Sequence, residues 1–463
     1  MKAVAVFAVC GLWVCAASAS YGQTTQPRKQ DPEQELAPPE DSPQPLGKAR
    51  RLYRALFGGA NTGQRRETIL GFSGSVFEVY SKEEVDEGEP ALDGLYTNFD
   101  GDLDYTRYGT RVEVAATGGG GVRYYPKISQ ILAVEYHAGV GVQARVAPQT
   151  TMFVRQSARY GPVALPILFA EPLPPELGDP LPPESDFAVT DDKVVTSLTS
   201  ASFERGFSVR SQLSASASYR YSDYLAETTP TNAFSTLDSG VAYRYRLNAT
   251  RSVRLGYNYR SASYDVPEAP GGRGPQPDEH NLFIGVAIER AFSDQQRTIA
   301  SFEAGTSAFS GTVPTGLLQG GDRLRFVFSA AVAHQMGRSW LLLGSFDRGS
   351  RFNQGYGGPA FADSLFASVT GFLNTRVDIT GSVAHTQGEY VATLGGSLFT
   401  NTAAGARLRY ALTRRWALTG QYFRYSYDFT NSPGVPFLIG VPERFARHSL
   451  SGGVLVFLPI SSR

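Results

Sequence analysis

The chain has 463 residues with 43 basic and 43 acidic side chains; its formal charge of zero says nothing about partners, and no motif supports nucleic-acid binding. Phe (28), Tyr (24) and Gly (49) are abundant while Met (3) and Cys (2) are scarce. No run after residue 19 approaches the ~18 consecutive apolar residues that a membrane helix requires, so helical spans are excluded, and aromatic, glycine-rich composition without such runs suits strands with one lipid face and one wet face.

At the start of the chain Met1-Lys2 is followed by an apolar stretch to Ala17 and by Ala17-Ser18-Ala19, a small-x-small cleavage pattern. Residues 1–19 therefore read as a secretory signal peptide. Val14 before Cys15 argues against a lipid-attachment box. Cys10 and Cys15 both lie in this segment, so the mature chain is expected to have no disulfide and no cysteine metal site. Residues 20–66 read as a disordered periplasmic arm: Pro, Gln and Glu dominate to about residue 47, with too little apolar surface to offset ordering entropy. Within it, 49–57 has helical spacing, with Ala49, Leu52, Tyr53, Leu56 and Phe57 opposite Arg50, Arg51 and Arg54.

From residue 67 to 460 the period switches to two. The clearest hairpin is 241–260, where Val241, Tyr243, Tyr245 and Leu247 alternate with Ala242, Arg244 and Arg246. After Asn248-Ala249-Thr250, Val253, Leu255, Tyr257 and Tyr259 alternate with Arg254, Gly256, Asn258 and Arg260. In a sheet the two sets point to opposite faces. Leu324, Phe326 and Phe328 repeat the unit against Arg323 and Arg325, and tight turns carrying Arg recur at Gly337-Arg338, Asn374-Thr375-Arg376 and Thr413-Arg414-Arg415. Tyr219, Tyr221, Tyr257, Tyr259, Tyr422, Trp340 and Trp416 fall near strand ends, where amphipathic rings suit a membrane interface. Lys82, Lys127 and Lys193 sit in segments that read as loops, which leaves the strands with Arg alone.

Tight turns are expected near residues 108, 148, 206, 249, 294, 337, 374 and 414, separated by longer segments such as 265–279, 311–321, 353–363, 388–400 and 430–446. Short turns alternating with long loops are the asymmetry of an outer-membrane barrel, whose periplasmic turns are short and extracellular loops long. The expected fold is all-β: a transmembrane antiparallel up-and-down β-barrel of about 18 strands, with 16 as the alternative. The Gly118 to Gly121 run is expected to interrupt a strand.

A barrel of that size leaves an aqueous interior. Alternation puts Arg210, Arg220, Arg244, Arg246, Arg254 and Arg260 on one stretch of inner wall, with Arg323, Arg325, Arg407 and Arg409 further round. They either favour anionic solutes or are solvated residues paired with Asp and Glu of other strands. The Pro-rich segment 161–193 carries Glu171, Glu176, Asp179, Glu184 and Asp186 and is the candidate constriction loop; the alternative is a surface loop. Asp100, Asp102 and Asp104 share one face, with Arg111 where a calcium loop needs Glu, so ion pairing with lumen Arg is expected rather than metal binding. The five histidines, at 137, 280, 334, 385 and 448, form no H-x-x-x-H or nucleophile-elbow motif, so no enzyme and no cofactor is expected.

With its hairpin pattern, leader, Pro-rich arm and motifs such as Tyr105-Thr106-Arg107-Tyr108-Gly109-Thr110-Arg111 and Val122-Arg123-Tyr124-Tyr125-Pro126, the chain resembles bacterial porin-like outer-membrane β-barrel proteins, including large barrels of which some are linked with exopolysaccharide export. The resemblance covers about 67–460 and implies a conduit in the outer membrane of a Gram-negative bacterium. Implied partners are outer-membrane lipids, the barrel-assembly machinery, and exopolysaccharide or small anionic solutes. The leading expectation is a channel for polar or anionic solutes; the alternatives are a polysaccharide secretion conduit and a non-conducting structural or surface-binding barrel. No plug domain or TonB-type box is recognisable, which counts against an energised siderophore receptor.

Overall fold

The computed structural model describes residues 68–85, 94–126, 131–162, 193–225, 233–264, 276–293, 296–313, 316–317, 324–337, 339–353, 358–390, 398–431 and 444–462. The signal peptide (1–19), the arm (20–66) with its 49–57 helix, Arg323, Lys127 and the acidic residues of the 161–193 segment lie outside them.

The strands are β1 (Thr68–Val85), β2 (Gly94–Tyr108), β3 (Val112–Tyr125), β4 (Ile131–Ala147), β5 (Thr150–Pro162) and β6 (Lys193–Gly206). There follow β7 (Ser211–Tyr224), β8 (Phe234–Arg246), β9 (Arg251–Tyr264), β10 (Pro277–Ser293), β11 (Gln296–Val313) and the two-residue β12 (Gly316–Leu317). The set ends with β13 (Leu324–Met336), β14 (Trp340–Asn353), β15 (Gly358–Phe372), β16 (Val377–Tyr390), β17 (Leu398–Ala411), β18 (Trp416–Asn431) and β19 (Arg444–Ser462). β12 only extends the end of β11, pairing Thr312 with Leu317. The other eighteen pair antiparallel with their chain neighbours, and β19 returns to β1, from Ile69↔Ser462 to Val85↔Phe445. The sheet is a closed up-and-down barrel.

Two-residue alternation gives this wall its two faces. On β8, Leu237, Val241, Tyr243 and Tyr245 are exposed on the outside, while Thr236 and Ala242 between them are buried inside. On β10, Leu282, Ile284, Val286 and Ile288 point out and Glu279 and Phe283 are buried inside. Trp416, Tyr219, Tyr221, Tyr257 and Tyr422 are likewise exposed on the outside. A girdle of such side chains is stable in hydrocarbon and would not be in water, so the barrel crosses a membrane.

All eight expected tight turns are found, and their recurring chemistry has a physical cause. In four of them a side-chain oxygen at the second position accepts the backbone N–H two residues on: Ser208 from Arg210 (3.2 Å), Asn248 from Thr250 (2.9 Å), Asn374 from Arg376 (2.8 Å) and Thr413 from Arg415 (3.1 Å). Such turns close a hairpin without a glycine. The turn after β13 instead uses Gly337 at φ 65°.

Three expectations need correction. Gly118 to Gly121 do not interrupt a strand; they lie inside β3, paired with β2 and β4 throughout. Their small size is what the neighbours need, since a Cβ on Gly119 would run into the Asp102 carboxylate and one on Gly121 would lie 2.5 Å from that of Asp100. Lys82 and Lys193 are on strands, β1 and β6, because strands here extend past the hydrocarbon into water, where Lys is tolerated. For the same reason the long segments are shorter than expected: 353–363, for example, shrinks to 354–357 between β14 and β15.

Gly121→Val is expected to destabilise the barrel by about 1–3 kcal/mol through overpacking. Gly118→Val should be near neutral, since a Cβ there meets nothing within 4 Å. The temperature at which the folded band disappears on a semi-native gel measures both.

Candidate functional site

The inner wall between β7 and β11 carries the densest group of expected basic residues. Arg220, Arg244, Arg246, Arg254 and Arg260 share the inward phase of β7, β8 and β9, and Arg244 stands directly opposite Arg254 across the β8–β9 pair. Like charges in that position repel. Arg254 is compensated from two strands away, its Nη1 lying 2.8 Å from Glu303 of β11. The carboxylate reaches over β10 because Gly285 stands between; a Cβ there would sit 2.7 Å from Glu303 Cγ. Below, the Arg254 guanidinium lies 5.1 Å from the Phe283 ring. Phe283 lies flat on the wall because its cross-strand neighbours on both sides are Gly256 and Gly305. Arg244 has no carboxylate within ion-pair distance among the described residues.

The remaining expected Arg residues are distributed differently. Arg210 is not on the wall but exposed in the β6–β7 turn, where its carbonyl accepts the Arg246 N–H. Arg407 and Arg409 face inward on β17. Arg409 is 3% exposed and clasps the fully buried Asp378 of β16, with Nε 3.0 Å from both carboxylate oxygens and Nη2 2.9 Å from one. Arg325 bonds Glu389 and lies 4.9 Å from the Phe361 ring. Arg254, Arg260, Arg325 and Arg409 thus each hold a carboxylate, and the wall is polar and mixed in sign rather than uniformly cationic. The acids come from other strands, so alternation within one strand cannot show them.

Among the described residues, the β14–β15 hairpin is an element that turns into the interior. β13 and β14 pair only from Met336↔Trp340 to Phe328↔Arg348. β14 and β15 stay paired to Asn353↔Gly358, so beyond Arg348 the hairpin leaves the wall. It reaches past β13 and β11 to β10 and β9. There Arg260 Nη1 donates to the Ser350 carbonyl (3.1 Å), and Ser350 Oγ donates to Glu279. Glu279, 4% exposed, also accepts from the fully buried Ser307 (2.6 Å) and faces Arg260 at 3.6 Å, while Arg260 bonds Asp238 as well. Phe352 completes the anchor, packing on Phe234, Ala262 and Tyr264 on one side and on Phe309, Val327 and Phe361 on the other. The sequence holds a signal for this. The outward phase of β14 runs Leu342, Gly344, Phe346 and then turns polar at Arg348 and Ser350, which marks where the strand stops facing lipid.

On the opposite inner wall Asp100 accepts from Ser75 (3.1 Å) and Asn98 (2.6 Å), and Asp102 lies 2.9 Å from His137 Nε2. Hydroxyl, amide and imidazole groups thus bond Asp100 and Asp102, and Arg123 adds the expected charge interaction with Asp100. Arg159 instead bonds Glu135 at 2.9 Å. The other four histidines face outward, each bonded to a Tyr or Thr hydroxyl. Among the described residues no hydroxyl bonds His137, so no Ser-His-Asp array forms, and no group of three metal-binding side chains is present.

No protein-family model and no curated protein matches the chain. Solved structures similar to it include Pseudomonas aeruginosa OpdL, at 9% identity and TM-score 0.45 over 85% of this chain and 99% of that one. A BenF-like porin from Pseudomonas fluorescens Pf-5 gives 11% and 0.46 over 85% and 99%. P. aeruginosa OccK2 (OpdF), solved in complex with glucuronate, gives 9% and 0.45 over 86% and 100%. At these identities and scores nothing about solute or mechanism passes from those proteins to this chain.

Asp378→Ala leaves the Arg409 guanidinium buried without its acid and should destabilise the barrel by about 3–5 kcal/mol, read as thermal loss of the folded band. Glu279→Gln weakens the hairpin anchor but not the wall. Amide exchange over residues 349–362 is expected to rise roughly tenfold while that of β2–β6 stays unchanged.

Proposed function

We propose that the chain is an outer-membrane channel of a Gram-negative bacterium that passes small polar solutes, with a preference for anions set by the Arg220–Arg244–Arg246–Arg254 stretch. The observation that carries this reading is the closed eighteen-stranded wall with apolar side chains outside and mixed charged and polar side chains inside. A wall of that size holds water that its own side chains cannot fill, and water-filled barrels conduct. The inward hairpin supports a size limit. Tied to β9 and β10, it removes part of the cross-section toward the long-loop end, so solutes pass beside it along the β1–β8 side.

Reconstitution of the purified barrel in planar bilayers tests this. Discrete conductance steps are expected, with a reversal potential in a salt gradient showing anion preference. Arg244→Glu should shift that potential toward cations, because Arg244 faces inward and forms no ion pair among the described residues. Phe352→Ala, which frees the hairpin, should raise the single-channel conductance. A barrel that is folded yet shows no steps at any voltage overturns the channel reading in favour of a non-conducting barrel.

A further inference from the structure

Lys82, corrected above from loop to strand, is one of three basic residues in register on three adjacent strands. The register places Arg424 of β18 opposite His448 of β19, and His448 opposite Lys82 of β1. All three share the outward phase. Two residues lower on each strand the same face carries Tyr422, Leu450 and Tyr80, which are 41%, 60% and 50% exposed. His448 is held in place by the Tyr422 hydroxyl, 2.8 Å from Nδ1. Neighbouring strands are spaced ~4.8 Å apart, so the basic row is about 10 Å wide.

Its height is that of a lipid headgroup. The outward phase of β19 runs Ile460, Leu458, Val456, Val454, Gly452, Leu450 and then His448. Ten residues from Ile460 to Leu450 rise ~33 Å along a strand, and about 25 Å along the normal at the usual tilt, which is the thickness of a barrel's apolar band. The basic row therefore stands just above the hydrocarbon on the long-loop side. Two carboxylates of this face are engaged by other groups. Asp428, four residues beyond Arg424, is engaged by Arg444 at 3.0 Å. Glu78, four residues below Lys82, accepts a hydrogen bond from Thr97 at 2.7 Å. Neither Lys82 nor Arg424 has a carboxylate within ion-pair distance among the described residues. Beneath the aromatic row, Gly420 and Gly452 stand in register with Glu78, and a Cβ on either glycine would meet nothing within 4 Å.

We propose that this row, Arg424–His448–Lys82, binds the phosphate of a phosphorylated glycolipid of the outer leaflet, with its acyl chains lying on the Leu450–Val454 face below. Lys82 and Arg424, flanking His448 just above an aromatic and apolar stretch of wall, match an anionic headgroup joined to hydrocarbon; a free phosphate has no use for the wall below. The site rests on the outer-membrane reading but not on conduction, so its test does not depend on channel activity.

The test is native mass spectrometry of the detergent-solubilised full-length barrel with added bisphosphorylated lipid A. Wild type is expected to retain one lipid A and to retain none of the phosphate-free form, with inorganic phosphate in excess displacing nothing. The Lys82→Gln/Arg424→Gln double variant should bind at least roughly tenfold more weakly, each lost cation near the surface accounting for several-fold. Both side chains are exposed, and the folded gel band verifies the variant. Equal retention of the phosphate-free lipid by wild type, or unchanged binding by the folded double variant, overturns the site. Displacement by inorganic phosphate overturns the choice of a lipid. The wild-type comparison of the two lipids decides the matter even if the double variant fails to fold.

Discussion

A strand in hydrocarbon cannot leave its backbone N–H and C=O groups unpaired, and this requirement organises the molecule. Eighteen strands meet it only because β19 pairs with β1 along nearly its whole length, from Ser462 at Ile69 to Phe445 at Val85. That seam joins residues almost four hundred positions apart, so the closing pair contributes nothing until the rest of the wall is in register. Arg447 of β19 donating to Ser81 of β1 at 2.6 Å, both buried, adds a side-chain contact across the same seam.

With the backbone satisfied by closure, the two faces are free to differ. Outside, apolar side chains need only suit lipid. Inside, polar groups must find one another, and they do so across strands rather than along them. Gly285 admits Glu303 to Arg254, Gly119 and Gly121 admit Asp102 and Asp100, and Gly256 and Gly305 admit Phe283. The glycines are thus gaps through which larger neighbours lean. Buried pairs such as Arg409–Asp378 are weak contributors to net stability, since desolvation offsets most of the attraction, but each fixes its strands against slippage.

This division explains how much was legible in the sequence. Outward alternation of Tyr, Leu and Val depends on one strand at a time, so strand number, the eight turns and the inward phase of Arg220, Arg244 and Arg254 follow from local pattern. Partnership depends on register between strands, and no pattern within one strand shows that Asp378 waits for Arg409 or that Glu279 will hold Ser350. The Gly118 to Gly121 run misleads for the same reason: alone it looks like a break, and only beside Asp100 and Asp102 does it become a fit. The acidic 161–193 segment draws attention through charge and proline, and its acidic residues lie outside the described ones. The hairpin that enters the interior is announced more quietly, by the polar turn in the outward phase of β14 at Arg348.

The departure of that hairpin also fixes where the bilayer can be. Above Phe328↔Arg348, β13 loses its partner on one side, and among the described residues Leu324–Val327 pair only with β11. An unpartnered ladder must be wetted, so the oily layer has to stop at or below Phe328, and Leu324 and Phe326 stand above it. The protein therefore carries its own waterline, scored into the wall where β14 turns away.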